Sequence, residues 1–447
     1  MIAFGRIAFA AAGAAAIVGL CAAAPAPPSP PRFPTAVASE LGTTRLVGER
    51  DLGAPLAGVQ VFVAAGLDRE SYATSGIAAL VAECIARTPV PDPSDRKGPP
   101  LPLREAIAAQ GGSLDYDVDG GYVHYYLEAL PGRLPDLVSL FARALAAPDF
   151  SPATIAAART ELDGRIANVE DSALSVGIQM IRQAYYANGT GLPALGTSAS
   201  LATLGPSRLA AFYHANYVRQ AVSASAAGAF APDLARALSA LADGLPNTPP
   251  APVLSRAKPL TENPLRIVAR RAVGAPWIVV GFAAPSPSAR DFGAMLILQA
   301  VLADAFERQS ATTLGFLEKS VGAFYLYGSS PASLVVYVNG SETDPTLALR
   351  ELLLATKTLS KKPLTAATLA HFKAIAQGRF VDESLDLSDR SYQLGSLAAQ
   401  GLGDDPINAA LDSLQAASGA DVQRLAKTYL QRFIVALVLP RNEGAGP

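Results

Sequence analysis

Apolar and polar positions follow a helical period near residue 80. In the stretch SGIAALVAECIARTPV (residues 75–90), apolar side chains recur at spacings of three and four residues, at Ile77, Leu80, Val81, Cys84 and Ile85. This spacing predicts an amphipathic helix with one core-facing stripe. Its other face carries Ala79, Ala82, Glu83 and Ala86. We expect that face to be free and almost without functional groups.

The order of strand-like and helix-like segments occurs twice along the chain. In the first half, a long helical stretch follows the strand-like segments TRLVGER and AGVQVFVAAG, the helix above, and the alternating pair SLDYDVDGG and YVHYYLEAL. APWIVVGFAAP, ARDFGAMLILQAVLADAFERQ, GAFYLYGSS and ASLVVYVNG repeat this order before further helices. An internal repeat of this length predicts two homologous α+β domains, over 36–243 and 265–441, built from mostly antiparallel sheet with helices on one face. The Pro-rich segment 244–264 separates them.

The N-terminus has the pattern of an export signal. Arg6 precedes an apolar run over 7–24, and small residues follow it, so we expect a signal peptide over 1–26 and a Pro-rich extended tether over 27–35. The protein would then be periplasmic or extracellular, or membrane-attached if the signal is uncleaved. No later apolar run approaches the roughly 20 residues that span a bilayer, so we expect no transmembrane span after signal removal.

Composition narrows the function classes. The 447 residues carry a formal net charge of −2, and 17% of them are charged. Without a basic run or a stacking aromatic motif, this balance argues against a nucleic-acid partner. Three histidines occur, and His124, His214 and His371 are not spaced as a pair of metal ligands.

Three segments resemble the insulinase, pitrilysin and mitochondrial processing peptidase family of zinc metallopeptidases. VFVAAGLDRESYATSGIAALVAE is similar to the family's strand, acidic loop and metal-binding helix. The segment around SLDYDVDGGYVHYYLEAL resembles the one that supplies the active-site edge strand, and LPALGTSASLATLGPSRLAAFYHANY resembles the Gly-Thr turn and the helix after it. The resemblance covers nearly all of residues 36–440. It implies an α+β fold whose two domains form a clam-like half of a peptidase chamber.

The resemblance also implies a zinc site that this chain lacks. The family's inverted motif His-x-x-Glu-His aligns with Ala79, Ala82 and Glu83. Two imidazoles one helical turn apart would converge on one ion, with the Glu beside them as general base. The family's third ligand position aligns with Glu161. The alternative interpretation is that Glu161 is an ordinary solvated residue of a helix. Since catalytic zinc needs three protein ligands, we expect no bound zinc and no catalytic residues, and Cys84 fits the core better than a ligand role.

Substrate-binding positions are also altered. In the family's second domain an Arg and a Tyr seven residues apart bind substrate and stabilise the oxyanion. Tyr325 matches the Tyr, or it packs as a strand aromatic, but Glu318 stands at the Arg position. On the candidate edge strand, Asp115, Asp117 and Asp119 form either a solvated face or an acidic wall for basic peptides.

Three functions follow from this pattern. The first is a catalytically inactive subunit that pairs with a homologous zinc-binding peptidase subunit and helps form a chamber for extended peptides. The second is a structural or binding protein like the family's core subunits in respiratory complexes. The third is an atypical zinc metalloendopeptidase, in which Glu161→Gln would abolish activity. The sequence does not distinguish a homodimer from a heterodimer.

Overall fold

Two β-sheets, one from each half of the sequence, organise the computed structural model of the protein. It describes residues 32–41, 44–93, 97–261, 264–313, 321–328, 331–339 and 345–441. The expected signal peptide and residues 27–31 of the expected tether lie outside this range, as does Glu318. The described residues from Arg32 onward belong to one compact unit.

Strands account for both sheets and for two short ribbons. Within the described residues they are β1 (Ala36–Leu41), β2 (Thr44–Arg50), β3 (Ala57–Val63), β4 (Pro89–Val90), β5 (Leu101–Pro102), β6 (Ser113–Val118), β7 (Val123–Ala129), β8 (Tyr186–Ala187), β9 (Val222–Gly228), β10 (Arg256–Ala257), β11 (Leu265–Arg271), β12 (Trp277–Ala283), β13 (Val321–Leu326), β14 (Ser333–Asn339) and β15 (Phe433–Pro440).

Helices fill the connections between these strands. They are α1 (Ile77–Arg87), α2 (Leu103–Ala108), α3 (Leu134–Ala146), α4 (Pro152–Asp171), α5 (Ala173–Tyr185), α6 (Ser198–Ala202), α7 (Pro206–Asn216), α8 (Asp233–Ser239), α9 (Phe292–Thr313), α10 (Pro345–Lys361), α11 (Ala366–Glu383), α12 (Leu387–Ala399), α13 (Pro406–Ala416) and α14 (Gly419–Tyr429).

The two sheets share one topology. The first has the order β1-β2-β9-β3-β7-β6 and the second the order β11-β15-β12-β14-β13. In each sheet one pair is parallel, β2 with β9 and β11 with β15, and the other pairs are antiparallel. The predicted α+β class with two homologous, mostly antiparallel units is therefore confirmed. The sequence pattern missed β1, which adds a sixth strand to the first sheet, and β11, which is the counterpart of β2 in the second sheet.

Each half lends one helix to the sheet of the other half. Helix α5 packs on β12 and β15 of the second sheet, while α12 packs on β2, β3 and β9 of the first. Among the described helices, each sheet therefore has those of its own half on one face, and α5 or α12 of the other half on the opposite face. Because burial of apolar surface is the main favourable term in folding, this exchange joins the two halves through their cores.

At each of these two contacts a glycine lies opposite a large side chain. On the second sheet, a Cβ added at Gly281 of β12 would lie 2.2 Å from Ile181 Cγ2 of α5. On the first sheet, a Cβ added at Gly395 of α12 would lie 2.2 Å from Phe62 Cε2 of β3. The strand supplies the space in one contact and the large side chain in the other, so both helices approach closely.

Filling the space at Gly281 should destabilise the fold. We expect Gly281→Ala to lower the free energy of unfolding by about 1–3 kcal/mol, because overpacking displaces neighbouring atoms. In an Ile181→Ala background the same change should lower it by less, which urea unfolding of all four proteins would measure as a coupling energy. The control is Gly378→Ala in α11, where an added Cβ meets no heavy atom within 4 Å. Equal losses in both backgrounds would show that α5 does not set this contact.

Candidate functional site

A buried carboxylate holds the N-terminus of α1. Glu70 Oε2 accepts a hydrogen bond from Gly76 N and Oε1 accepts one from Ala78 N, both at 2.9 Å. These donors belong to the first turn, where backbone N–H groups have no partner within the helix. Burial raises the pKa of the Glu70 carboxyl to about 8, although the two hydrogen bonds oppose the shift.

The Gly-Thr turn packs against the same end of α1. Gly76 and Gly196 have φ values of +86° and +72°, a conformation that glycine adopts without strain. A Cβ added at Gly76 would lie 2.8 Å from the Gly196 Cα, so the two turns approach too closely for a side chain. Thr197 then caps α6 by accepting a hydrogen bond from Ser200 N.

Helix α1 has no free face, so that expectation was wrong. Its residues from Ile77 to Ala86 are all buried, including Ala79, Ala82 and Glu83 at 0% exposure. Helices α2, α4 and α7 pack around it together with β6. The alanines make this possible because a methyl group lets neighbouring helices approach closely. The positions that align with the zinc motif are therefore packing positions in this chain.

Two arginines neutralise Glu83. The Arg104 guanidinium donates to both carboxylate oxygens, Nη1 to Oε1 and Nη2 to Oε2, each at 3.1 Å. Arg87, one turn along α1, donates from Nε to Oε1 at 2.6 Å. A fully buried carboxylate is stable only when it is paired in this way. At the position of the family's second imidazole, the chain thus places an anion whose oxygens already bind guanidinium groups.

Arg87 also reaches the third ligand position. Its Nη2 lies 3.3 Å from Glu161 Oε2 on α4, so one guanidinium bridges the two carboxylates left from the expected ligand set. The Cys84 thiol beside them is buried, and this burial raises its pKa to about 12, which keeps it protonated and a poor ligand. Among the described residues, no group of three or more His, Cys, Asp or Glu side chains is placed to hold a metal ion. These residues do not fit a catalytic zinc.

Strand β6 lies at the edge of the first sheet. Asp115 and Asp117 point to its exposed face, and Asp117 Oδ1 lies 3.3 Å from Arg165 Nη2. Asp119 follows the end of the strand and turns inward, where Oδ2 accepts a hydrogen bond from Tyr392 at 2.9 Å. The three acids therefore do not form one continuous wall, and Asp115 and Asp117 remain as candidates for contact with a peptide.

Tyr325 is buried in the second core. Its hydroxyl donates to the Pro285 carbonyl at 2.5 Å, its ring contacts Phe292 and Tyr327, and burial raises the pKa of its phenol. Helix α1 belongs to the first core and Tyr325 to the second, so the structure does not bring these predicted residues together. Tyr325 instead lines a cavity of about 320 Å³ into which Arg182 of α5 also projects.

Sequence reasoning missed the partners that define the site. Glu70, Arg87 and Arg104 were not singled out, although Glu83 and Arg87 are four residues apart and so share a helix face. Arg104 is distant in sequence and carries no motif, so only the fold brings it to Glu83.

Removing the charge of Glu83 should destabilise the first core. We expect Glu83→Gln to lower the free energy of unfolding by about 3 kcal/mol, because it leaves two guanidinium groups without their buried anion. The matched control Glu161→Gln removes a carboxylate that is 45% exposed and should change it by less than about 0.5 kcal/mol. Chemical denaturation of the three proteins compares them. Equal effects would contradict the assignment of Glu83 as the centre of the network.

Glu70 should make stability depend on pH. Its pKa in the folded protein, about 8, lies above the ordinary value of 4.5, so between these values the folded state binds a proton that the unfolded state lacks. The stability that Glu70 contributes is complete below about pH 4.5 and falls as the pH rises through about 8. In urea unfolding, we expect the free energy of unfolding of Glu70→Gln to rise by about 1–3 kcal/mol relative to that of the wild type as the pH is raised from about 5 to 9. A constant difference between the two proteins would contradict this titration.

Part of the sequence is similar to a known protein family. Residues 45–198 match the family model described as insulinase, peptidase family M16. Among curated proteins none matches the sequence. In the part of the chain that the structure describes, no helix combines the length and apolarity required to cross a membrane.

The fold is shared with several solved structures. A protease from Helicobacter pylori aligns with a TM-score of 0.78 and 13% identity, over 92% of this chain and 100% of that chain. A peptidase M16 inactive domain from Pseudomonas fluorescens aligns with a TM-score of 0.74 and 12% identity, over 91% and 98%. A chain of complex III2 from Candida albicans aligns with a TM-score of 0.70 and 14% identity, over 88% and 93%. Over residues 45–198 the chain is therefore similar to the insulinase family, peptidase family M16, and its fold is the one that these solved structures share.

Proposed function

We propose that the protein is a catalytically inactive M16-type subunit that pairs with a zinc-bearing homologue and helps form its peptide-binding chamber. The observation that carries this proposal is the pairing of Glu83 with Arg87 and Arg104. Cationic groups of the chain itself neutralise the anion at the second ligand position, while Ala79 and Ala82 offer neither a ligand nor a base. The subunit would bind no zinc, and any hydrolysis would depend on the partner's metal.

The open edge of β6 supports a role in binding peptide. On the side away from β7, no described strand pairs with β6. Unpaired backbone groups at a sheet edge can bind any extended peptide, because the ladder hydrogen bonds do not involve the side chains. Asp115 would favour peptides that carry a positive charge near this strand. Such binding requires no metal, so it can persist in a subunit that does not cleave.

Export forms part of the same proposal. Removal of residues 1–26 would place the subunit in the periplasm or outside the cell, and a retained signal would attach it to the membrane. The partner would then have to be exported as well.

A structural role is the second candidate. The fold likeness to a chain of complex III2 favours it, and a subunit that only supports an assembly also needs no zinc. The two roles differ in one respect, since only a chamber subunit should change the rate at which its partner cleaves peptides.

A reconstitution experiment tests the proposal. We expect the purified chain to contain far less than stoichiometric zinc by plasma mass spectrometry and to be inactive alone. Mixed with an exported homologue that carries an intact inverted motif, it should raise peptide cleavage, and Glu161→Gln should leave that activity unchanged. A stable complex without any change in cleavage would favour the structural role. Stoichiometric zinc, with cleavage by the chain alone that Glu161→Gln abolishes, would overturn the proposal in favour of an atypical peptidase.

A further inference from the structure

The duplication leaves one sheet edge covered and its counterpart open. In the first sheet the outer edge of β2 pairs antiparallel with β1, and α8, which follows β9, packs on β1, β2 and α3. Strand β11 occupies the position of β2 in the second sheet and pairs in parallel with β15 as β2 does with β9. Among the described residues no strand pairs with the outer edge of β11 and no helix follows β15.

Apolar side chains are exposed where that covering is missing. Val268 on β11 is 53% exposed and Leu354 on α10 is 48% exposed. Leu354 of α10 and Leu140 of α3 occupy equivalent positions in the two halves. Each precedes the N-cap residue of the next helix, Thr365 of α11 and Ser151 of α4, by the same number of residues. Leu140 is only 8% exposed. Equivalent residues are therefore buried in one half and solvent-accessible in the other.

The open surface is positively charged. Arg266 and Arg270 flank Val268 on the same side of β11 and are exposed. On α10 the exposed residues Arg350, Lys357 and Lys361 share one face with Leu354, at helical spacings of three and four. The first half places β1 on the equivalent edge, where Glu40 lies opposite Arg45. An acidic strand would complement the charge of the open surface and cover its apolar residues.

We propose that β11 and α10 form a docking surface for an acidic, extended segment of a partner protein. The segment adds to the outer edge of β11 in the antiparallel direction, as β1 adds to β2, and its carboxylates face Arg266 and Lys357. Backbone hydrogen bonds provide the affinity, and the basic side chains select the charge of the segment. The surface lies on the second sheet, so this proposal does not depend on the peptidase-subunit function.

Synthetic peptides test the surface directly. The probe is an acetylated and amidated peptide of alternating Glu and Val, and the readout is amide hydrogen exchange of the whole protein. We expect protection of β11, with β6 and β13 unchanged and with weaker binding at high salt. A Lys-Val peptide should not protect β11, because it lacks the negative charge. A Glu-Val peptide with alternate N-methylated amides should not protect it either, because it lacks the strand hydrogen bonds.

Charge reversals complete the test. Arg266→Glu combined with Lys357→Glu should weaken binding of the Glu-Val peptide about tenfold, given the modest contribution of each exposed pair. The matched control is Arg143→Glu. Arg143 is the equivalent of Lys357 in the first half, because the two residues precede Ser151 and Thr365 by the same number of residues, and it is also exposed. It should leave the affinity unchanged. Absence of protection on β11 at millimolar peptide, equal protection by the Lys-Val peptide, or an equal loss in Arg143→Glu would each overturn the proposal.

Discussion

A fully buried carboxylate on α1 constrains the whole site. Burying the Glu83 side chain without a counterion would be costly, and Arg87 and Arg104 supply that counterion. Because the two guanidinium groups already bind the Glu83 oxygens, a metal ion could bind there only by displacing these side chains. A carboxylate–guanidinium network thus lies where the zinc motif of the similar family has its second imidazole. The network stabilises the helix in the absence of metal, and it explains why α1 is packed on all sides without a ligand site.

The duplication provides the frame for this network. Helices α5 and α12 each cross to the opposite sheet, and their closest contacts use complementary pairs, Ile181 with Gly281 and Phe62 with Gly395. Helix α5 also supplies space on its own side, at Gly177 opposite Val279, so glycines at both helix–sheet contacts allow the close approach. Since α5 packs on the second sheet and α12 on the first, the two halves are joined at both sheets, and Arg182 of α5 lines the cavity beside Tyr325.

The sequence predicted the parts of this structure that depend on local patterning. Period-two and helical alternation identified most strands and helices of both copies, although not β11, and the absence of imidazoles at Ala79 and Glu83 was visible directly. Non-local features were not accessible. Nothing in the pattern of α1 distinguishes a free alanine face from one covered by α4 and α7, because alanine fits either environment. The same holds for Arg104, which reaches Glu83 only through the fold, and for β1, whose short polar sequence resembles a linker until it pairs with β2.

The two halves also differ in which edges of their sheets are covered. The first half has a covered edge at β2 and an open one at β6, whereas both outer strands of the second sheet, β11 and β13, are open among the described residues. An exposed edge strand that serves no purpose is a hazard for aggregation, and exposed Arg side chains such as Arg266 and Arg270 reduce that hazard. The same charges determine what can still pair there, since an acidic strand gains attraction where a neutral or basic one does not. Among the described residues, the positions that align with the zinc motif are thus occupied by packed alanines and a paired carboxylate, while unpaired backbone groups remain at the outer edges of β6, β11 and β13.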